Sequence, residues 1–231
     1  MSEARNPDLD AANLRLIEAQ IGKVKAETDG ILQEGASRAV KMQLDNAQLQ
    51  QTRRYLSKEA AEAHENRIYT FYGAVSASSV SPAIKALGEW HRRSPEAPIE
   101  IIFNSPGGNV LDGLALYDFI HELRHLGTPI NTVTMGMAAS MGGILLQAGE
   151  RRIATKNALI LIHEVSMGAG GKMSEIEDEL AFGKKLQQKC LDILASRSTM
   201  TARQINTKWQ KKDWWIDSDE ALKLGFIDEV R

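Results

Sequence analysis

From residue 67 onward short β-rich runs alternate with helix-forming segments. That alternation restricts the chain to a layered α/β domain. Arg67–Val75 (RIYTFYGAV), Ile99–Phe103 (IEIIF), Ile130–Met135, Arg152–Ala154 and Ala158–Ile162 read as strands. Between the first two, Ser81–Trp90 reads as a short helix opened by a Ser81 N-cap and Pro82 in the first turn. Leu111–Leu126 and the apolar run Met141–Ala148 read as helices. Residues 173–198 read as a long amphipathic helix, with Ile176, Leu180, Leu186, Leu191 and Leu194 among its apolar positions.

The chain before that point is different. None of the prolines lies between Pro7 and Pro82, and the stretch is rich in Ala, Gln, Glu, Lys and Leu. These are good helix formers. Leu14, Ile17, Ile21, Val24, Thr28 and Ile31 recur at alternating spacings of three and four, an a/d stripe with one polar member. The stripe is too short for a stable isolated coiled coil. Gly30 and Gly35 are expected to weaken the helix, and a poorer stripe follows through Ala39, Met42, Leu49 and Leu56. Disorder is expected over Met1–Asp10. Residues 1–66 therefore form a helical N-terminal extension and residues 67–231 an α/β domain. The extension is either an assembly or docking helix or an arm whose Leu and Ile residues lie on its own globular domain.

Composition removes several classes of function. The 231 residues carry 28 basic and 30 acidic side chains, a net charge of -2, with no case for nucleic-acid binding. No run approaches the roughly 18 apolar residues of a membrane span. The first residues, MSEARNPDLD, lack an apolar export segment. Cys190 is the single cysteine, which excludes an internal disulfide framework and a multi-cysteine metal site and fits the cytoplasm.

Three places can carry chemistry. Asn104-Ser105-Pro106-Gly107-Gly108 follows a strand, and its glycines either let a ligand approach backbone N–H groups or simply make a turn. Gly136-Met137-Ala138-Ala139-Ser140-Met141-Gly142-Gly143 lies between a strand and an apolar helix. Its small residues allow a sharp turn with the Ser140 hydroxyl at a helix start, the logic of a nucleophile elbow without its usual spelling. They equally suit tight helix packing. His163 ends the strand ALILIH and precedes Glu164. Histidine is the base suited to activating a serine at neutral pH. His64, His91, His121 and His125 lie in polar helical stretches and are expected in solvent. An orienting carboxylate would come from Asp213, Asp217, Asp219 or Asp228, and spacing does not choose among them.

Taken together, these residues resemble the proteolytic subunit of the Clp protease, the ClpP family of serine peptidases. The similarity covers residues 67–231. It is carried by IIFNSPGGNVLDGLALYDFI, TVTMGMAASMGGILLQAGE, ALILIHEVSMGAGGKMSEIEDEL and DWWIDSDEALKLGFIDEV, in that order. The resemblance implies a ClpP/crotonase-like layered fold of β-β-α units. It implies Ser140 as nucleophile, His163 as general base and Asp213 as the orienting carboxylate. The oxyanion donors would be the backbone N–H groups of Gly108 and Met141. Acyl transfer of this kind uses no metal and no cofactor. The implied substrate is a polypeptide and the implied assembly two stacked heptameric rings, with Gly168–Gly171 and the following helix as the handle between them. ATP would be used only by a partner AAA+ unfoldase.

Several features depart from the family. Glu164 and Val165 stand where a glutamine and a proline usually follow the histidine, and a carboxylate there raises the histidine pKa if it points inward. Residues 1–66 replace a short axial loop that meets the unfolding ATPase. Bacteriophage ClpP-like proteases, assigned to capsid maturation, share the shortened motifs, and in that setting the arm would bind a capsid or scaffold protein. A catalytically idle ring or scaffold subunit is a further alternative. A crotonase-type acyl-CoA enzyme has no need of Ser140, His163 and Asp213 together, and a chymotrypsin-like fold is all-β. Met137, Met141 and Met167 either line an apolar pocket beside Ser140 or belong to the core.

Overall fold

The computed structural model describes residues 7–231 apart from 169 and 211; the side chains of 7–14, 16–17 and 55–65 are outside the description. The disorder expected for Met1–Asp10 falls outside the described residues at 1–6, and from Pro7 the backbone is helical. The chain divides into two compact units, Met1–Ala61 and Glu62–Arg231.

The first unit is built on helix α1 (Pro7–Asn66). The helix runs unbroken through Gly30 and Gly35, where a weakening was expected. A glycine costs about 1 kcal/mol relative to alanine in a helix interior, too little to interrupt a ladder flanked by strong helix formers. Every described side chain from Glu18 to Arg54 is exposed, including Ile21, Val24, Ile31 and Leu49. Among the described residues no helix is long and apolar enough to cross a membrane.

The second unit alternates strands and helices. In chain order they are β1 (Ile68–Tyr72), α2 (Ala77–Arg93), β2 (Ile99–Ser105), α3 (Val110–His125), β3 (Ile130–Ala139), α4 (Met141–Leu146) and β4 (Arg152–Ala154). Then follow β5 (Leu159–Ile162), α5 (Met173–Ser196), α6 (Ala202–Trp209), β6 (Trp214–Asp217), α7 (Ser218–Leu224) and β7 (Glu229–Val230). Strands β1, β2, β3, β4 and β7 lie side by side and parallel. Along β2, Ile99, Ile101 and Phe103 are buried on one face, the period-two pattern of a strand with a core side. Leu87 of α2, Leu116 and Ile120 of α3 and Leu145 of α4 are fully buried with Phe103. Burying each such side chain is worth about 1.5–3 kcal/mol.

Two elements differ from their expected bounds. Helix α2 starts at Ala77, more than a turn before the expected Ser81, and Pro82 lies inside it. Ser76 is the cap: its N–H donates to Ser79 Oγ at 3.0 Å, and that hydroxyl also reaches the Ala74 carbonyl at 2.8 Å. Strand β3 continues through Gly136–Ala139, which reads as a turn in sequence. The β2–β3 register shifts between Phe103 and Ser105, and the Asn104 side chain fills the break by accepting from the Met137 N–H at 3.3 Å. One edge of β3 is therefore shared, with Thr132–Thr134 pairing to β4 and Met137–Ala139 pairing to β5.

Candidate active site

Parallel pairing of β3 with β5 sets the site. Ala139 is opposite Leu161, and the Ser140 N–H donates to the Leu161 carbonyl at 2.8 Å. The two strands run out together, so Ser140 and His163 emerge side by side at their C-terminal ends. This is the edge where open α/β sheets place their ligands.

Ser140 is the N-cap of α4, with φ 54° and ψ -121°. A left-handed φ on a non-glycine residue costs about 1–3 kcal/mol and persists only where the surroundings enforce it. Here the enforcing partners are the Leu161 carbonyl on one side and Gly107 on the other. A Cβ on Gly107, whose φ is +93°, would stand 2.6 Å from Ser140 Cβ and 2.7 Å from the Ala139 carbonyl oxygen. The glycine turn therefore packs directly against the serine.

The same turn directs a backbone donor. Val75 pairs with Gly108 in a parallel bridge, its N–H donating to the Gly107 carbonyl and its carbonyl accepting from Asn109 N–H, each at 2.8 Å. In such a bridge the middle residue's own N–H faces away from its partner, so the Gly108 N–H is turned from Val75. A side chain at Gly108 would meet the Val75 carbonyl oxygen at 2.2 Å. Met141 is the first residue of α4, and a first-turn N–H has no acceptor within its own helix. Among the described residues no hydrogen bond takes the Gly108 or the Met141 N–H.

Gly108, Ser140, Met141 and His163 line one cavity of about 190 Å³. His163 is half-buried, and its Nδ1 lies 2.5 Å from the backbone carbonyl of Glu164. A carbonyl only accepts, so Nδ1 carries a proton, and in the neutral ring the lone pair is then on Nε2. That is the tautomer a general base needs.

Asp213 reaches the same edge by a different route. Strand β6 pairs antiparallel with β5, ending at Ile162 opposite Trp214, so Asp213 stands one step beyond the ladder across from His163. It is exposed and is not among the cavity-lining residues. Among the described residues no hydrogen bond joins Asp213 to His163 or His163 to Ser140. Two of the other candidate carboxylates are already employed. Asp217 caps α7 by accepting from the Glu220 N–H at 2.7 Å. Asp228 accepts from Arg152 Nε at 2.9 Å and from Arg152 Nη2 at 2.5 Å. Burial alone would push the Asp228 carboxyl up; its hydrogen bonds and charge contact with Arg152 outweigh that and hold it below the usual carboxylate range.

Three further expectations are corrected. Of the methionines considered for an apolar pocket, only Met141 lines the cavity; Met137 and Met167 are exposed. His91 is half-buried rather than solvated, with Nδ1 2.7 Å from Thr128 Oγ1. His121 is half-buried beside Tyr117, ring centroids 4.6 Å apart. Periodicity marks Leu194 as an apolar position of α5 but does not single out Ile144, Ile162, Cys190 and Trp209, which complete the apolar lining. The four-residue spacing of Cys190 and Leu194 on α5 was a usable signal, whereas Trp209 lies on a helix too short for periodicity to reveal.

Comparison with known proteins adds an independent line. A family model described as Clp protease matches residues 50–231. The chain is 35% identical over 140 residues to an ATP-dependent Clp protease proteolytic subunit of Deinococcus radiodurans, covering 60% of this chain and 67% of that one. It is 36% identical over 139 residues to proteolytic subunit 2 of Tropheryma whipplei, covering 59% and 75%. With proteolytic subunit 1 of Chlamydia muridarum it shares 32% identity over 170 residues, covering 72% and 86%. Through this match over most of its length, together with the α/β fold that carries it, the chain belongs to the Clp protease family of peptidases.

Proposed function

We propose that the chain is a serine endopeptidase in which Ser140 attacks the scissile carbonyl and His163 Nε2 takes the hydroxyl proton and returns it to the leaving amine. The observation that carries the reading is the convergence of Ser140, His163, Gly108 and Met141 on one cavity at the ends of two register-paired strands. The Gly108 and Met141 N–H groups receive the developing oxyanion, each such donor being worth about 10²–10³ in rate. Asp213 takes over His163 Nδ1 from the Glu164 carbonyl as the reacting site forms, and stabilises the imidazolium. The reaction needs no cofactor.

The active form is a ring oligomer in the cytoplasm. The first half of α5 supports this: Met173, Leu180 and Phe182 are 73%, 53% and 46% exposed, an apolar surface that a neighbouring subunit would cover. The named relatives are ATP-dependent, and an AAA+ unfoldase is the partner proposed here; α1 would supply its docking element or one for a capsid or scaffold protein.

A second reading, an idle ring or scaffold subunit, is favoured by the hydrogen bond that commits His163 Nδ1 to Glu164 rather than to Asp213. Labelling with a fluorophosphonate, mapped by peptide mass spectrometry beside Ser140→Ala, separates the two. Modification of Ser140 that is lost in the variant supports the peptidase. An unmodified Ser140 under native conditions, in assembled rings, supports the idle subunit.

A further inference from the structure

Two hydrogen bonds beside Ser140 end on one peptide unit. The carbonyl of Glu164 accepts from His163 Nδ1 at 2.5 Å, and the N–H of Val165 donates to Gln187 Oε1 on α5 at 3.2 Å. That carbonyl and that N–H belong to the single amide joining Glu164 to Val165. We propose that Gln187 is a positioning residue for His163: through this amide it keeps the imidazole on a backbone carbonyl and opposes its transfer to Asp213. This rests on the serine-peptidase reading above.

The rigidity of the amide carries the coupling. A peptide unit is planar, and in the trans form its C=O and N–H point to opposite sides. Among the described residues no peptide bond is cis. Anchoring the N–H on Gln187 therefore keeps the carbonyl turned toward His163. Val165 makes the link possible, because a proline at that position has no N–H to donate.

The two acceptors that compete for the Nδ1 proton are held unequally. Gln187 is half-buried, and the next turn of α5 carries the buried Cys190 and Leu191. Val165 packs against the core. The amide between them is thus fixed on both sides. Asp213 is exposed, one step beyond the end of the β5–β6 ladder, and no hydrogen bond among the described residues fixes its carboxylate on His163. Releasing the Val165 N–H lets the peptide plane turn and its carbonyl find water. The Nδ1 proton is then left to Asp213, the partner that stabilises the imidazolium.

The test measures the rate at which a fluorophosphonate labels Ser140 in the full-length protein. Gln187→Leu removes the acceptor and Val165→Pro removes the donor, so each cuts the same bond from one end. Each is expected to label about fivefold faster than wild type, the scale of one ordinary hydrogen bond. Damage to packing alone lowers the reactivity of an activated serine, so a gain separates this role from a structural one. Because both variants cut one bond, the double variant is expected to label no faster than the faster single variant. In an Asp213→Asn background Gln187→Leu is expected to give no gain. Rates that are unchanged or lower in the variants overturn the proposal, as do gains that multiply in the double variant or persist without Asp213. Either single variant decides the question if the other does not fold. Wild-type labelling with unchanged variant rates leaves the peptidase reading standing, whereas absence of labelling in every protein overturns both.

Discussion

The Ser140 N–H donates to the carbonyl of Leu161 at 2.8 Å, which ties the strained turn after β3 to the strand that ends at His163. The bond makes two residues that are distant in the chain into neighbours. It also helps to hold Ser140 at φ 54°, a conformation its side chain disfavours.

That strain gives a stability prediction. Ser140→Gly removes the penalty of a left-handed φ, whereas Ser140→Ala keeps it. Both variants lose fluorophosphonate labelling and peptidase activity. Ser140→Gly gains about 1 kcal/mol, or about 2–4 °C in Tm, over Ser140→Ala. Equal melting temperatures by differential scanning calorimetry would show that the turn is not strained.

Gly107→Ala places a methyl group against Ser140 Cβ and against the backbone carbonyl oxygen of Ala139. The expected outcome is a shift of the serine and a loss of at least about 10² in kcat, with a smaller change in KM, because orientation matters most at the reacting atoms. Wild-type steady-state kinetics in this variant would refute the packing argument.

Asp213 is exposed, so Asp213→Asn leaves the fold intact. If Asp213 takes over His163 Nδ1 during the reaction, kcat falls by about 10²–10⁴ while KM is little changed. A variant with unchanged kcat would mean that the Glu164 carbonyl alone orients the imidazole.

The acid side of the stability profile depends on His121. Burial first, then the charges of Arg124 and Arg197, lower its pKa from 6.5, with Asp118 opposing. Below that value the unfolded chain binds a proton that the native imidazole resists, so stability rises with pH there. The contribution is present at neutral pH and is lost as pH falls from 6.5 toward the lowered native value. His121→Gln is expected to flatten the dependence of unfolding free energy on pH between about 7 and 5, followed by urea titration. A slope equal to that of wild type would remove His121 from the account.

Much of the fold was legible because it is local. The two-residue period of IEIIF and the amphipathic pattern of residues 173–198 report contacts along one element, and β2 and α5 stand within two residues of where they were read. The serine turn and the strand-end histidine likewise mark Ser140 and His163 as candidates from their own residues, whereas Gly108 and Met141 as oxyanion donors come only with the resemblance to the Clp protease family. The extension of β3 through Gly136 was not legible, because an asparagine on a neighbouring strand supplies the missing acceptor.

Residue types and their order thus define which groups can react and which element each belongs to. Tertiary structure alone decides which of them meet. The pairing of Ala139 with Leu161 brings the serine turn to the histidine, and the pairing of Ile162 with Trp214 brings Asp213 to that edge while Asp217 and Asp228 are used elsewhere. The closure of the cavity by Cys190 and Trp209 is of the same kind. Such contacts join residues tens of positions apart, and the periodicity within a helix or strand carries no information about what lies across from it.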